Sequence, residues 1–382
     1  MNVPEAGQGQ DVTIRVIRSE DEWDDVRSDW DALHRATPDA SPFLRFAWLR
    51  GWWRAYGPRY GTGGLRILTC WHGADLVGAV PLYVRVEHGP LHVRCLRFVS
   101  TGEAEEEETC PDYLDLLSQP GFEPACARAA WEGIARLDWD RLELDDVPAG
   151  SLLLRLPRPL RRVKSYPRGV CPVADLNGGF ESYLARLSPN SRQQARRLLR
   201  EGERAGVRFE LAGVDGTTET FDEMVRLHQQ RWVADGQPGV FGSERFTDFH
   251  RRLVREWQPR EDAVLARMSF EGVPIAVLYG FVSHRRFAFY QSGVDLAADN
   301  RLRSPGTLAH LLLMRTLAAR GVLAYDFLRG SASYKDRLAT RESHLSGLRT
   351  WRPTPRGLAW WPIRLAVKIG GRGRRATSEG RR

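Results

Sequence analysis

Asp299-Asn300-Arg301-Leu302-Arg303-Ser304-Pro305-Gly306-Thr307 opens the stretch that decides the fold, which continues through Leu308–Arg320 and Val322–Phe327 to Tyr334-Lys335. Ser304 is a helix-capping residue type, Pro305 suits the first helical position, and Gly306 lets a ligand come close to the backbone. Leu308, Leu311, Leu312 and Leu317 give the following helix an apolar stripe, and Gly321 ends it. The run Val322-Leu323-Ala324-Tyr325-Asp326-Phe327 then reads as a strand, so the whole is one βαβ-like unit. A helix start flanked by Arg301 and Arg303 offers free N–H groups, a positive dipole end and two guanidinium forks to a phosphate. An ordinary connection with solvated arginines is the other reading of the same residues.

Outward from this unit, 382 residues suffice for two domains with separate cores. No apolar run is long enough to span a bilayer, and the polar start Met1–Asp11 lacks a signal-peptide core. Cys70, Cys95, Cys110, Cys126 and Cys171 are odd in number, scattered and without a CxxC pair, which argues for reduced thiols and against a disulfide frame or zinc site. His88 and His92 flank the turn Gly89-Pro90 and do not form a metal pair. A net charge of +8 favours anionic partners: nucleotides, nucleic acid or a membrane surface. Lys164, Lys335 and Lys368 are the only lysines in an arginine-rich chain.

The first half reads as a tryptophan-rich helix over Glu20–His34 and a second helix carrying Trp48, Trp52, Trp53 and Tyr56. Strands follow at Leu65–Trp71, Leu76–Val84 and Leu91–Val99, then a solvated acidic loop at Glu103–Glu108. A strand at Tyr113–Leu117, a helix at Glu123–Leu137 and a strand at Arg141–Leu144 complete it. The second half repeats the order, with helices from Pro189 to Ala205 and Thr220 to Ala234 and strands at Ala263–Phe270, Ile275–Val282 and Phe287–Gly293. Leu65–Val84 and Val264–Val282 share a strand, glycine turn, strand pattern, so two α/β modules in tandem is the simplest architecture. Proline at 148, 157, 159, 167 and 172 marks the seam.

Several segments, taken in order, carry a family resemblance. They are Phe180-Glu181-Ser182-Tyr183-Leu184, Leu187-Ser188, Ser191-Arg192, Arg196-Arg197, Leu227-His228-Gln229-Gln230-Arg231-Trp232, Gly272-Val273-Pro274-Ile275-Ala276, Ser304-Pro305-Gly306, Asp326-Phe327-Leu328-Arg329-Gly330 and Tyr334-Lys335. In this spacing, over about Cys171 to Trp351, they resemble GNAT acetyltransferases of the cellulose-biosynthesis type, relatives of the Fem-type peptidyl transferases. The resemblance implies an α/β fold of tandem GNAT-like modules, each a mixed, mostly antiparallel sheet flanked by helices. It divides the chain into a degenerate N-terminal module at 1–160, an acyltransferase module at 161–350 and a basic, tryptophan-containing tail at 351–382. The family's pyrophosphate loop reads Arg/Gln-x-x-Gly-x-Gly, and Arg301-Leu302-Arg303-Ser304-Pro305-Gly306 matches it with serine at the first glycine. No counterpart stands in the first module, so only the second is expected to hold the donor.

Acyl transfer to an amine needs a neutral amine, a donor for the oxyanion and a proton for the leaving thiolate. The resemblance implies Tyr334 as the proton donor and Lys335 as the charge stabiliser, with Asp326 or Asp295 taking the acceptor's proton. Asp326 as a structural partner of Arg329 or Arg337 is the competing reading. Acetyl-CoA, or another acyl-CoA, is then expected along the strand carrying Tyr290 and Gln291 and on Arg301, Arg303, Ser304, Gly306 and Thr307, with no metal. Arg192, Arg196, Arg200 and Arg204 form a slowly winding basic stripe, read either as a phosphate track or as a solvated face. With Arg231, Trp232 and Arg329, Arg192 and Arg196 are the substrate-side candidates.

The expected activity is transfer of an acetyl or acyl group from acyl-CoA to an amine, such as an amino sugar used in polysaccharide or cell-envelope synthesis. Two rivals stand beside it: a Fem-type transferase using charged tRNA, and an inert GNAT-like scaffold for a membrane polysaccharide synthase. The expected location is cytoplasmic, with peripheral contact at the inner membrane face through the Trp360-Trp361 tail.

Overall fold

The computed structural model describes residues 11–87, 92–156, 158–160, 162–258, 262–295, 302–330, 332–354 and 356. The first half contains β1 (Thr13–Ile17), α1 (Glu20–Asp25), α2 (Arg27–Ala36), α3 (Phe46–Tyr60), β2 (Ile67–His72), β3 (Asp75–Val80), β4 (Leu82–Glu87), β5 (Val93–Phe98), β6 (Leu117–Ser118), α4 (Glu123–Arg136), β7 (Arg141–Pro148) and α5 (Leu152–Arg155). The second contains β8 (Lys164–Asp175), α6 (Phe180–Arg186), α7 (Pro189–Arg204), β9 (Arg208–Leu211), α8 (Thr217–Ala234), α9 (Glu244–Trp257), β10 (Ala263–Phe270), β11 (Val273–Ser283), β12 (Arg286–Val294), α10 (Pro305–Ala319), β13 (Ala324–Asp326), α11 (Ser333–Leu338) and β14 (Arg341–Trp351).

Local chemistry sets many of these boundaries. Ser19 and Glu22 close a reciprocal capping box on α1. Ser188 accepts from the Ser191 N–H ahead of Pro189, which starts α7, and Ser243 does the same for α9 through Phe246. Pro81 lacks a ladder donor, and there the chain leaves β3 in one sheet and enters β4 in another.

A four-stranded antiparallel sheet has the order β1-β2-β3-β6, and a ten-stranded sheet runs β4-β5-β7-β14-β8-β13-β12-β11-β10-β9. At the centre of the larger sheet β14 and β8 lie antiparallel. Moving out on one side, β7 is antiparallel to β14 and then parallel to β5. On the other side, β13 is antiparallel to β8 and then parallel to β12. The same series of pairings thus stands on both sides of the centre, and both central strands come from the second half. β14, at the end of the second half, pairs with β7 of the first. β8, the first strand of the second half, pairs with β13 of the same half. The fold is mixed α/β with large, mostly antiparallel sheets flanked by helices, as the resemblance implies.

The halves also share a core. Trp48, Trp52 and Tyr56 of α3 pack with Phe249 and Trp257 of α9 and Phe281 of β11 in one cluster. Burial of one such aromatic side chain contributes about 2–3 kcal/mol. A second cluster joins the opposite face of β12 (Phe287, Phe289) to α10 (Leu308, Leu311, Met314). Arg45 reaches Asp262 with two hydrogen bonds of 2.8 and 3.0 Å, tying the start of α3 to the second half.

Three local expectations are corrected. Among the described residues Tyr113–Leu116 forms no strand ladder, only a single backbone bond from the Leu114 N–H to the Asp146 carbonyl of β7, because Tyr113 sits at φ +62°, which breaks the extended path. The acidic loop is not simply solvated. Glu103 accepts from the Trp52 indole and from Thr109 Oγ1, and Glu107 is buried between Tyr60 and Arg245. The proline-rich seam carries the twelve-residue strand β8, with Pro167 and Pro172 inside it. Arg301, the His88–Leu91 turn and the Trp360-Trp361 tail lie outside the described residues.

Candidate active site

The decisive geometry is the opening between β12 and β13. These strands run parallel for three pairs, Arg286↔Ala324, Phe287↔Tyr325 and Ala288↔Asp326. β13 then stops, while β12 continues to Val294 with a bulge. Tyr279 pairs with Gln291 and Gly280 with Phe289, so Tyr290 is the extra residue. Bending at a bulge while the neighbouring strand ends leaves strand edge without a strand partner on that side among the described residues.

Helix α10 starts beside this edge. Ser304 occupies the left-handed region at φ +47°, where a glycine is most at ease, and among the described residues no side-chain hydrogen bond caps the helix. The first-turn amides of Gly306 and Thr307 therefore form an anion-receptive end. A Cβ built on Gly306 meets only Val294 methyl carbons, at 3.6 and 3.9 Å, which places the helix start against the last residue of β12. Arg303 is exposed and lies close enough to Glu201 of α7 to stabilise its carboxylate.

Tyr334, at the start of α11, stacks on His310 of α10 with ring centroids 5.0 Å apart. His310 in turn shares a 2.7 Å hydrogen bond with the Tyr325 hydroxyl, and burial pushes its pKa down to about 3, so the ring is neutral. Burial raises the Tyr334 phenol to about 12, with Arg231 partly opposing the shift. Its hydroxyl has no hydrogen-bond partner among the described residues and stays protonated at neutral pH, as a proton donor requires. The structure thus gathers Gly306, Thr307, Val294, His310, Tyr334 and Arg231 at one end of β12.

Other candidates are committed elsewhere. The Lys335 ammonium donates to the carbonyls of Phe327 (2.8 Å), Arg329 (3.1 Å) and Leu328 (3.4 Å), which uses its three N–H bonds to fasten that loop. Asp326 is fully buried and accepts from Tyr113 (2.7 Å), the Leu328 N–H (2.7 Å) and Arg286, so it acts as a buried knot. The sequence offered Arg329 or Arg337 as that partner; Arg286 takes the place because β12 runs beside β13. Arg329 donates from its backbone to Asp112 and from its side chain to Asp146, both in the first half. Tyr290 donates to the Thr109 carbonyl at 2.6 Å and touches His250 at 3.1 Å, a tie between halves.

The remaining candidates are dispersed. Gln291 is half-buried on β12, and Asp295 follows that strand with its N–H on the Ile275 carbonyl. Arg192 bonds the Ala185 carbonyl at 3.1 Å, and Arg196 pairs with Glu181 at 3.5 Å across a solvated face. Trp232 is 40% exposed against His228.

On the sheet face opposite α10, a cavity of about 550 Å³ opens between the halves. Ala288, Asp326 and Leu328 bring its wall to the point where β12 and β13 part. Tyr113, Asp115 and Ser151 come to it from the first half. Asp115 accepts from Ser151 Oγ (2.6 Å) and the Leu116 N–H (2.8 Å), and burial raises its carboxyl to about 6. Sequence reading placed Asp115 inside a strand; the only signal against that was a carboxylate amid apolar neighbours.

Comparison with known proteins agrees with this architecture. Residues 189–336 match the family model described as an acetyltransferase (GNAT) domain. A search among curated proteins finds no match. Among solved structures, FemX superposes with a TM-score of 0.61 at 11% identity, covering 86% of this chain and 96% of its own. The C-terminal domain of a putative lysylphosphatidylglycerol synthetase from Agrobacterium fabrum gives 0.53 at 12% identity, covering 89% and 95%. L-PGS from Bacillus licheniformis gives 0.50 at 11% identity, covering 76% and 85%. The superpositions show a shared fold, and residues 189–336 carry the match to the GNAT domain. Among the described residues no histidine, cysteine and carboxylate group is arranged to hold a metal, and no helix is long and apolar enough to cross a membrane.

Proposed function

We propose that the protein is an N-acyltransferase that carries an acyl group from acyl-CoA to an amine, with an amino sugar or related envelope precursor as acceptor. The observation that carries this reading is the uncapped α10 start lying beside the free edge of β12. A pyrophosphate on the Gly306 and Thr307 amides, with Arg303 alongside, directs the acyl arm along that edge. Strand amides polarise the carbonyl as the neutral amine attacks it and the C–S bond breaks; the Tyr334 hydroxyl protonates the departing thiolate, and the proton lost by the amine nitrogen restores the Tyr334 hydroxyl. Lys335 serves by fixing the Phe327–Arg329 loop that leads into α11. The reading sets the reaction in the cytoplasm, where acyl-CoA is found, with the basic tail as a contact to the membrane face.

A second reading has its own support. FemX, L-PGS and a domain of a putative lysylphosphatidylglycerol synthetase resemble this fold, and the last name denotes lysyl transfer. In that case the arginines of α7 and Arg303 hold a charged tRNA. Calorimetric titration with acetyl-CoA, run on the protein and on an Arg301→Ala, Arg303→Ala double variant, separates the two. Saturable heat that the double variant loses supports acyl-CoA. Absence of heat, together with charged-tRNA binding that weakens steeply with salt, supports aminoacyl transfer.

A further inference from the structure

The cavity between the halves has no part in holding the donor, and its lining has a chemistry of its own. Four carboxylates reach it: Asp39, Asp115, Glu123 and Asp326. Arg286, its one guanidinium, is engaged by Asp326. Among the described residues no arginine, lysine or histidine comes within ion-pair distance of Asp39, Asp115 or Glu123. His344 completes the titratable wall. The half-open cavity therefore carries a surplus of negative charge, with Asp39 on its solvent-exposed rim and Asp115 half-buried in its wall, and a cation is the ligand that relieves it.

The polar groups define the rest of the ligand. Asp115 spends Oδ1 on Ser151 and Leu116, and Oδ2 has no partner among the described residues. Ser118, Ser151, Ser283 and Ser343 line the same wall; the first three donate to the Val77 carbonyl, Asp115 and the Ala40 carbonyl and so meet a ligand hydroxyl only as acceptors, with Pro42, Phe43 and Leu116 as apolar surface. About 550 Å³ suits a small polyhydroxylated molecule.

The geometry points to this cavity as an acceptor site for a hexosamine-sized amine, whose ammonium lies against Asp115 Oδ2 and whose hydroxyls meet the serines. The assignment rests on the acyl-transfer reading, and it supplies what the donor side lacks. The cavity wall reaches Ala288 and Leu328, where β12 and β13 part, so an amine bound there approaches the opening from the face opposite α10.

The experiment is titration with glucosamine, using N-acetylglucosamine as the neutral counterpart, on three proteins: unaltered, Asp115→Asn and Gly150→Phe. Asparagine keeps the Oδ1 acceptor for Ser151 and Leu116. A Cβ at Gly150 meets open space, so Phe narrows the cavity without disturbing the fold. The expected result is saturable glucosamine binding at least about tenfold tighter than N-acetylglucosamine and weakened about tenfold or more by either substitution. Equal binding of the two sugars, equal affinity in all three proteins, or no glucosamine heat overturns the assignment. Acetyl-CoA titrated into the same samples reports on the donor separately. If it gives no heat while glucosamine behaves as expected, the acyl-CoA reading falls and the amine site stands.

Discussion

Gly306 and Gly293 sit on neighbouring elements yet answer differently to one added methyl group. A Cβ on Gly306 makes ordinary contacts with Val294, and alanine is the better helix former, so Gly306→Ala should leave the melting temperature unchanged or slightly higher. The same methyl stands where a phosphate would meet the backbone, and acetyl-CoA affinity should fall about tenfold. At Gly293 a Cβ would lie 2.6 Å from Leu227 Cβ and 2.9 Å from the His228 N, so Gly293→Ala should cost about 1–3 kcal/mol of stability. Thermal melts beside the titration check both; unaltered affinity in folded Gly306→Ala would remove the donor from the start of α10. The sequence marks Gly306, Tyr334, Asp326 and Lys335 as chemistry-bearing by type and order. It does not disclose that Asp326 is saturated, because Tyr113 stands 213 positions away and Arg286 40. Nor does it show Lys335 spent on carbonyls, since that depends on how the loop folds back. Lys335→Met should therefore destabilise the fold by about 1–3 kcal/mol, detectable by chemical denaturation, with any loss of activity following the loss of structure.

Elements governed by neighbouring residues are legible, and those governed by pairing are not. The Ser-Pro starts of α7 and α10 and the glycine turn between β10 and β11 are local signals, and each stands where the sequence places it. Helix α9 also had a signal, the Ser243 cap and apolar positions at Phe246, Phe249, Leu253 and Val254, yet it lies in a stretch the tandem pattern passes over. The pairing of β14 with β7 leaves no local trace, because β14 is an extended strand whichever neighbour it takes. It has a direct consequence. A fragment of residues 1–160 lacks β14 beside β7, and one of 161–356 exposes the β14 edge that β7 covers. Each fragment alone should be insoluble or loosely folded, while the two expressed together should purify as a 1:1 complex. Independent, cooperative melting of either fragment would show that the β7–β14 pairing is dispensable.

At the scale of the molecule, the junction buries carboxylates that titrate near neutrality. Glu103, bonded to Trp52 and Thr109, is raised by burial to about 7 from an ordinary 4.5, and Asp112, which accepts the Arg329 N–H, to about 7 from 3.8. Both shifts are upward, so between about pH 4.5 and 7 the folded chain keeps protons that the unfolded chain has released. Stability should then decline as pH rises through that window, because ionising these groups inside the junction costs more than ionising them in water. Glu103→Gln isolates one contribution, since the amide oxygen can still accept from Trp52 and Thr109. The substituted protein should lose less melting temperature than the unaltered one between pH 5 and 7.5, with the two curves closest at the acid end. Parallel curves would mean that Glu103 is ionised throughout and compensated by its neighbours. The outcome bears on function, because Thr109 also accepts from Tyr290 at the β12 bulge. Charging Glu103 therefore acts on the loop of the first half that touches the strand on which the donor is expected to lie.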